Sequence, residues 1–488
     1  MSALKEAWKP LPDSDWNRDA AKHLAARLGF SINPAIVNGI QSLGPAGTLK
    51  KYFSSIRLQP VPDKLSGMET TMLSMQNKMK EASPEEKRKL RQSMQKQNRQ
   101  SYQDYAVDWY QFAREPRNSA QEKLVLFFQD VWVVAVQGTR STSALFDYQN
   151  LIRRHLGKSY PEMCKQLAVS AAMVRYLNLN QNRKESPNEN FARELFELFC
   201  LGEGNYSEDD IKQAARATTG YIVNQLDEVR FIKKRHDAGR KTIFGKTDNF
   251  DLNGLIDLVF QQPAAARFLP KEMARFYLTQ DGLSDEEIQP LADIWKESGY
   301  SIPKLLATFF TSRKFYDTAY RGNMIKSPVQ FYLGMLQDLD LDVFPSPRRC
   351  VNQLRTMGQQ FYNPPNVRGW VGGRHWINSA TLAARRGLVQ SLMYPLQKQK
   401  LNADEERALE ESQQRGKTAF SLSDAQITSM ASMEPSLLAK SLASRFYVNP
   451  DPTSLEAVLQ KLHASQKGRQ LGVSCAVATL TSPAYHLC

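Results

Sequence analysis

An all-α fold is predicted for this chain of 488 residues: a large multi-helix body with a projecting helical hairpin. Three observations predict it. Apolar residues recur at helical spacing along most of the chain. Capping signals such as Ser83-Pro84-Glu85-Glu86 and Ser207-Glu208-Asp209-Asp210 open one segment after another. A single stretch, 225–250, alternates like a strand, and it reads as a short β-hairpin or an ordered loop.

Residues 1–60 read as the first helices of the body. A helical pattern over 16–30 stops at Gly29, and a helix pair over Ile36 to Phe53 breaks at Gly44-Pro45. Residues 61–117 read as a basic, Met/Gln-rich hairpin arm. Met68, Met72, Met75 and Met79 share one helix face, a pattern that packing explains more simply than ligand binding. The arm is either a solvated decoration or a docking element, and charge runs usually face water.

Residues 118–390 form the expected core. The run QEKLVLFFQDVWVVAVQG at 121–138 is too short and too interrupted to span a bilayer, so it reads as a fully buried helix. Residues 391–488 combine a charged linker, 396–418, with helices that repeat the unit at 271–316. Arg275-Phe276-Tyr277 recurs as Arg445-Phe446-Tyr447. Thr311-Ser312 recurs as Thr481-Ser482, at the same interval from its partner triplet. Two copies fall short of a solenoid, which needs at least about three.

Composition narrows the classes. Hydrophobic residues make up 42% of the chain and the net charge is +14. The charge suits an anionic partner or a solvated basic surface equally well, and no nucleic-acid-binding fingerprint accompanies it, so nucleic acid is not the expected partner. No apolar run reaches membrane-spanning length, and the N-terminus lacks the apolar region of a secretory signal. A cytoplasmic location follows as the expectation, with export in the folded state beside a signal-bearing partner as the alternative. Cys164, Cys200, Cys350, Cys475 and Cys488 are scattered with no CxxC spacing. That excludes zinc-ribbon and thioredoxin-type sites and fits a reducing compartment. No P-loop, GxSxG, HExxH or dinucleotide motif occurs.

Polar residues crowd the segment 186–245. Ser186-Pro187-Asn188-Glu189 has the form of a capping box, which would make Glu189 structural. Asn190, Arg193, Glu194 and Glu197 then fall on one face of a helix ending at Gly202. Buried charges need partners, so this stripe is either an internal ion network, Arg193 with Glu197, or the wall of a site. Arg216 lies on the next helix. His236-Asp237 sits in a Gly-containing loop before Lys241, where it could shuttle protons or bind a metal, and the chain has only six histidines. Trp370, Trp376 and Asn378 belong to a Gly/Pro-rich stretch that suits a rigid pocket wall.

These residues carry a resemblance. Asn188-Glu189-Asn190-Phe191-Ala192-Arg193-Glu194-Leu195, Ala215-Arg216-Ala217, Thr219-Gly220, His236-Asp237, Lys241, Lys326-Ser327-Pro328, Gly369-Trp370 and Trp376-Ile377-Asn378 resemble the signature of the domain of unknown function 1800 (DUF1800) family. So do His23-Leu24 and Arg27-Leu28-Gly29-Phe30. The resemblance covers roughly residues 16–390. It implies no assigned activity. It implies a sulfatase- or phosphatase-like protein encoded nearby as a partner, and bacterial export systems for many relatives. Relatives share a Trp-His-x-His-Phe-like run where this chain has Phe128-Gln129-Asp130-Val131-Trp132, so both histidines are absent here.

Two functions remain open on the sequence. One is an enzyme acting on an anionic or glycan substrate, with Glu194, Glu197, His236 and Asp237 as catalytic groups and Asn188, Asn190, Arg193, Arg216, Lys241, Trp370, Trp376 and Asn378 holding the substrate. The other is a non-catalytic helical partner docking through the arm. Neither a metal nor a cofactor is specified by the residues.

Overall fold

The computed structural model describes residues 2–63, 65–341, 347–393 and 422–488, together with isolated positions between 403 and 414. The fold is all-α. The only strands among the described residues form two short antiparallel hairpins. Tyr221–Val223 pairs with Val229–Phe231, and Lys241–Ile243 pairs with Lys246–Asp248. The alternating stretch at 225–250 thus belongs to two hairpins rather than one. The charged stretch 396–418 lies outside the described residues apart from single positions.

Local chemistry sets most boundaries. Asn17 accepts the backbone N–H groups of Asp19 and Ala20, which starts the helix Arg18–Leu28, and Gly29 stops it. Pro34–Phe53 is interrupted at Gly44, whose φ of 68° only glycine adopts cheaply, just before Pro45. In the arm, Met68–Glu81 and Pro84–Arg114 are joined across a complete capping box between Ser83 and Glu86. The second arm helix changes character along its length. Its first turns are largely exposed, whereas Tyr102, Tyr105, Trp109 and Tyr110 are buried in the core. Trp109 stacks on Phe361 at 4.7 Å between ring centroids.

The helix Pro116–Val131 is buried nearly throughout, as its composition predicts. Its Glu122 carboxylate meets Arg153 at 2.6 Å, and both side chains are wholly excluded from solvent. Trp109 Nε1 donates to the same carboxylate at 2.7 Å. The sequence repeat is also a structural one. Pro263–Tyr277, Asp285–Glu297 and Ile302–Thr311 correspond in order to Pro435–Phe446, Thr453–Ser465 and Gly468–Thr481. Ser312 and Ser482 end the third helix of each unit in the same extended conformation. Each unit then buries an aromatic ring three residues on, Phe315 or Tyr485.

The buried Glu122–Arg153 pair generates a stability prediction. Glu122→Ala leaves an uncompensated buried guanidinium and should cost about 3–5 kcal/mol in chemical denaturation. A loss below about 1 kcal/mol would mean that water reaches Arg153 in the native state.

Candidate functional site

A helix that ends badly shapes the site. The segment expected to run as one α-helix from Ser186 to Gly202 does not. Ser186 is held in a bridge with Arg183, and Glu189 is the cap residue but makes no side-chain cap bond. The capping box read at 186–189 is therefore absent. Asn182 Oδ1 accepts the Asn188 N–H at 2.8 Å, and Asn188 Oδ1 accepts the Asn190 N–H at 3.0 Å, so asparagines turn the chain instead. Asn190–Glu194 is one short α-helical piece. Leu195–Cys200 then widens into a π-helical turn, a feature common at functional sites. Gly202 closes it with φ of 84°.

The widened turn separates the polar stripe. Arg193 points to the surface, reaching Glu208 at 2.8 Å and Glu189 at 3.1 Å rather than Glu197. Glu194 is partly buried, and desolvation followed by the charge of Glu197 raises its pKa. Glu197 enters a cleft of about 530 Å³. There it accepts hydrogen bonds from Tyr206 Oη at 2.8 Å and from Arg368 at 2.5 Å.

The His236-Asp237 turn is elsewhere. His236 Nδ1 lies 3.0 Å from the Thr219 carbonyl, and its ring packs on Phe231. Asp237 binds Arg216 at 2.7 Å, which lowers its pKa. Buried Lys241 donates to the Asp237 carbonyl at 2.6 Å. No hydrogen bond or ion pair among the described residues joins this turn to Glu194 or Glu197, and it does not line the cleft. Asn190 is exposed. Asn378 caps the helix Ser379–Met393 by accepting the Thr381 N–H, and Trp376 is buried against Gly358. Of the sequence-selected residues, Glu197 alone lines the cleft, and Trp370 contacts it through Asp130.

Asp130 was not selected from the sequence. It lies in the last turn of Pro116–Val131 and faces the cleft. Its Oδ1 accepts the backbone N–H of Trp370 at 2.9 Å, while Oδ2 has no partner among the described residues. Gly369 lies so close that a Cβ there would fall 2.3 Å from that carboxylate, with φ of 79° besides. Desolvation raises the Asp130 pKa to about 7, against the single Trp370 hydrogen bond and with the nearby charge of Glu272. The negative end of its own helix acts in the same direction. Glu272 also lines the cleft. Burial raises its pKa, while Arg275 at 2.7 Å favours its ionised form.

The remaining charges of the cleft are mutually satisfied. Arg368 bridges Glu197 and Glu203, and Lys271 and Arg267 both pair with Asp285. Sequence held one signal for Asp130: a carboxylate amid the apolar stretch from Leu124 to Val136. Nothing local marked Glu272, on a different helix. Among the described residues no group of three or more His, Cys, Asp or Glu is placed to hold a metal ion, and no helix is long and apolar enough to cross a membrane.

A family profile described as a protein of unknown function (DUF1800) matches residues 23–487. The chain belongs to the DUF1800 family. No curated protein and no solved structure matches it. Two parts of the DUF1800 resemblance meet in the cleft: the 188–202 segment supplies Glu197, and Gly369-Trp370 supplies the backbone against Asp130. At the positions of the histidines expected from that resemblance, Gln129 donates to Tyr362 Oη at 2.7 Å and Val131 lines the cleft. Asp130 is the ionisable group that stands between them.

The Asp130 environment predicts a pH effect. An unfolded aspartate titrates near its ordinary value of 3.8 and the folded one near 7, so the native state keeps a proton that the unfolded chain releases. The stabilising contribution is complete below pH 4 and is lost as pH rises through about 7. The melting temperature of Asp130→Asn should therefore gain on that of wild type between about pH 4 and 8. Parallel curves would show that Asp130 ionises as in water.

Proposed function

We propose that the cleft is an acid–base active site for a hydroxyl-rich, glycan-like substrate. The single observation that carries this reading is Asp130. It is a cleft-facing carboxylate with one free oxygen, poised to titrate near neutrality, and proton transfer is most efficient at such a pKa. Environment assigns the roles of two neighbouring carboxylates: burial raises the pKa of both, and cations oppose that rise only at Glu272. Asp130, with its free oxygen facing the cleft, donates the proton. Glu272, whose carboxylate Arg275 holds at 2.7 Å against the opposing effect of burial, accepts one or activates water. Glu197 holds Arg368 over the cleft.

The charge balance favours a neutral glycan over a strongly anionic substrate. The cleft's arginines and lysine are already matched by carboxylates, so a bare phosphate or sulfate would have to displace internal ion pairs. Sugar hydroxyls can donate to and accept from paired charges without breaking them. The His236-Asp237 turn, tied to Thr219 and Arg216, takes the supporting role of holding the hairpins.

The test is a hydrolytic screen of chromogenic glycosides and oligosaccharides, with phosphate and sulfate esters alongside. Activity on a glycan should fall by about 10²–10⁴-fold in Asp130→Asn, and the pH profile should carry a limb near 7 that the variant lacks. Equal turnover by wild type and Asp130→Asn would remove Asp130 from the chemistry. Activity confined to the esters would reject the substrate class.

A further inference from the structure

A second and larger concavity lies away from the cleft. It is a groove of about 1410 Å³ between the arm and the body. The arm helices, Val61 and Leu65 form one wall. The other is built from residues 136–147, Arg175, the 225–227 turn and residues 351–363. Its chemistry differs from that of the cleft. Arg91, Arg99, Arg140 and Arg355 line it, and their side chains have no hydrogen bond or ion pair among the described residues. All four are exposed. Two acids line it as well: Asp227 is bound by Arg175 and by Ser141 Oγ, and Asp147 is exposed. Five arginines thus face two acids, so the groove carries an excess of positive charge, whereas the cleft cancels its own.

Its floor is apolar. Leu65, Phe146 and Val351 are buried there, and half-buried Met79 and Met94 lie on the arm side. Methionines give a wall that can repack around different side chains. Exposed amides such as Gln95 and Gln137 also line the groove and can pair with backbone N–H and C=O groups. The lining aromatic rings, Tyr102 and Phe146, are both buried. An extended nucleic acid needs open ring faces for base stacking, and the groove presents none among its described residues.

We propose that this groove docks an acidic peptide segment of a partner protein. Its aliphatic side chains would lie on the Leu65–Phe146–Val351 floor, and its carboxylates would meet the four arginines. An apolar floor with a complementary charged rim is how peptide grooves combine affinity with register, and planar guanidinium groups suit carboxylates. The inference is independent of the acid–base reading of the cleft.

The experiment uses the full-length chain and fluorescence anisotropy. The probes are a panel of fluorescein-labelled 12-residue peptides built from Asp, Glu, Leu and Val. Controls are the same peptides with Lys for each acid, a heparin fragment and a single-stranded oligonucleotide. Acidic peptides should bind with a Kd below about 100 µM at low salt and weaken steeply as salt rises. Arg99→Glu/Arg355→Glu should bind them at least about tenfold more weakly. Arg91→Glu/Gln95→Glu, on the exposed arm face, should act likewise if the first pair fails to fold. Lys440→Glu, outside the groove, should leave binding unchanged, and melting curves would confirm folding. The proposal is overturned if no acidic peptide binds, or if folded groove variants bind as well as wild type. It is also overturned if heparin or the oligonucleotide, and not the peptides, is the ligand whose binding depends on these arginines.

Discussion

The helix Pro116–Val131 is buried along most of its length, yet it carries Gln121, Glu122, Lys123, Gln129 and Asp130. Much of the architecture follows from where those groups find partners. Gln121 accepts the Arg57 N–H at 2.9 Å, which ties down the chain leaving the first helices. Glu122 recruits Arg153 and Trp109. Lys123 donates to the carbonyls of Ala26 and Gly29 at 3.0 and 2.8 Å, filling the acceptors left at the end of Arg18–Leu28. Burial still drives its pKa down to about 7. Gln129 finds Tyr362. An unmet buried polar group costs several kcal/mol, so each of these bonds fixes the position of a distant segment against one axis. Asp130 is the exception. Its single hydrogen bond leaves one oxygen facing the cleft, and that deficit gives it a perturbed protonation equilibrium.

The helix Arg18–Leu28 performs a second joining role. His23 Nε2 lies 3.0 Å from the Phe315 carbonyl, at the end of the first repeated unit. Its neighbour Lys22 donates to the carbonyls of Ser444 and Tyr447, at the end of the second unit's first helix. One helix thus reads backbone carbonyls from both copies. Burial lowers the pKa of both side chains, to about 8 for Lys22. For His23 this favours the neutral ring. The repeat in sequence has a structural counterpart because each copy ends its third helix at a serine and buries an aromatic ring beside it.

The π-helical turn explains why a face predicted by helical spacing did not persist. In a regular helix Arg193 and Glu197 would stand one turn apart on the same side and could pair. Here the turn following Glu194 is wider, and Glu197 is taken by Tyr206 and Arg368. Arg193 is left to the exposed Glu208 on the next helix. The groove beside the arm has a related origin. The arm helix is amphipathic in two senses along its length, with basic early turns over solvent and aromatic later turns in the core, so its middle spans an edge where charge and apolar surface meet.

The sequence by itself determined the fold class, the capping boxes at Ser83 and Ser207, the break at Gly44, the buried core helix, the repeat and the family. Each of these is written in contiguous residues, through backbone hydrogen bonding and side-chain periodicity. It could not determine that Ser186 fails to cap, because Asn182 competes for the Asn188 N–H only once the chain has turned. Nor could it place His236-Asp237 apart from Glu197, or set Asp130, Glu272, Glu197 and Arg368 around one cleft. Those groups come from four separate segments. Their protonation and pairing depend on desolvation and on charges brought close by packing, and neither quantity exists before the chain folds.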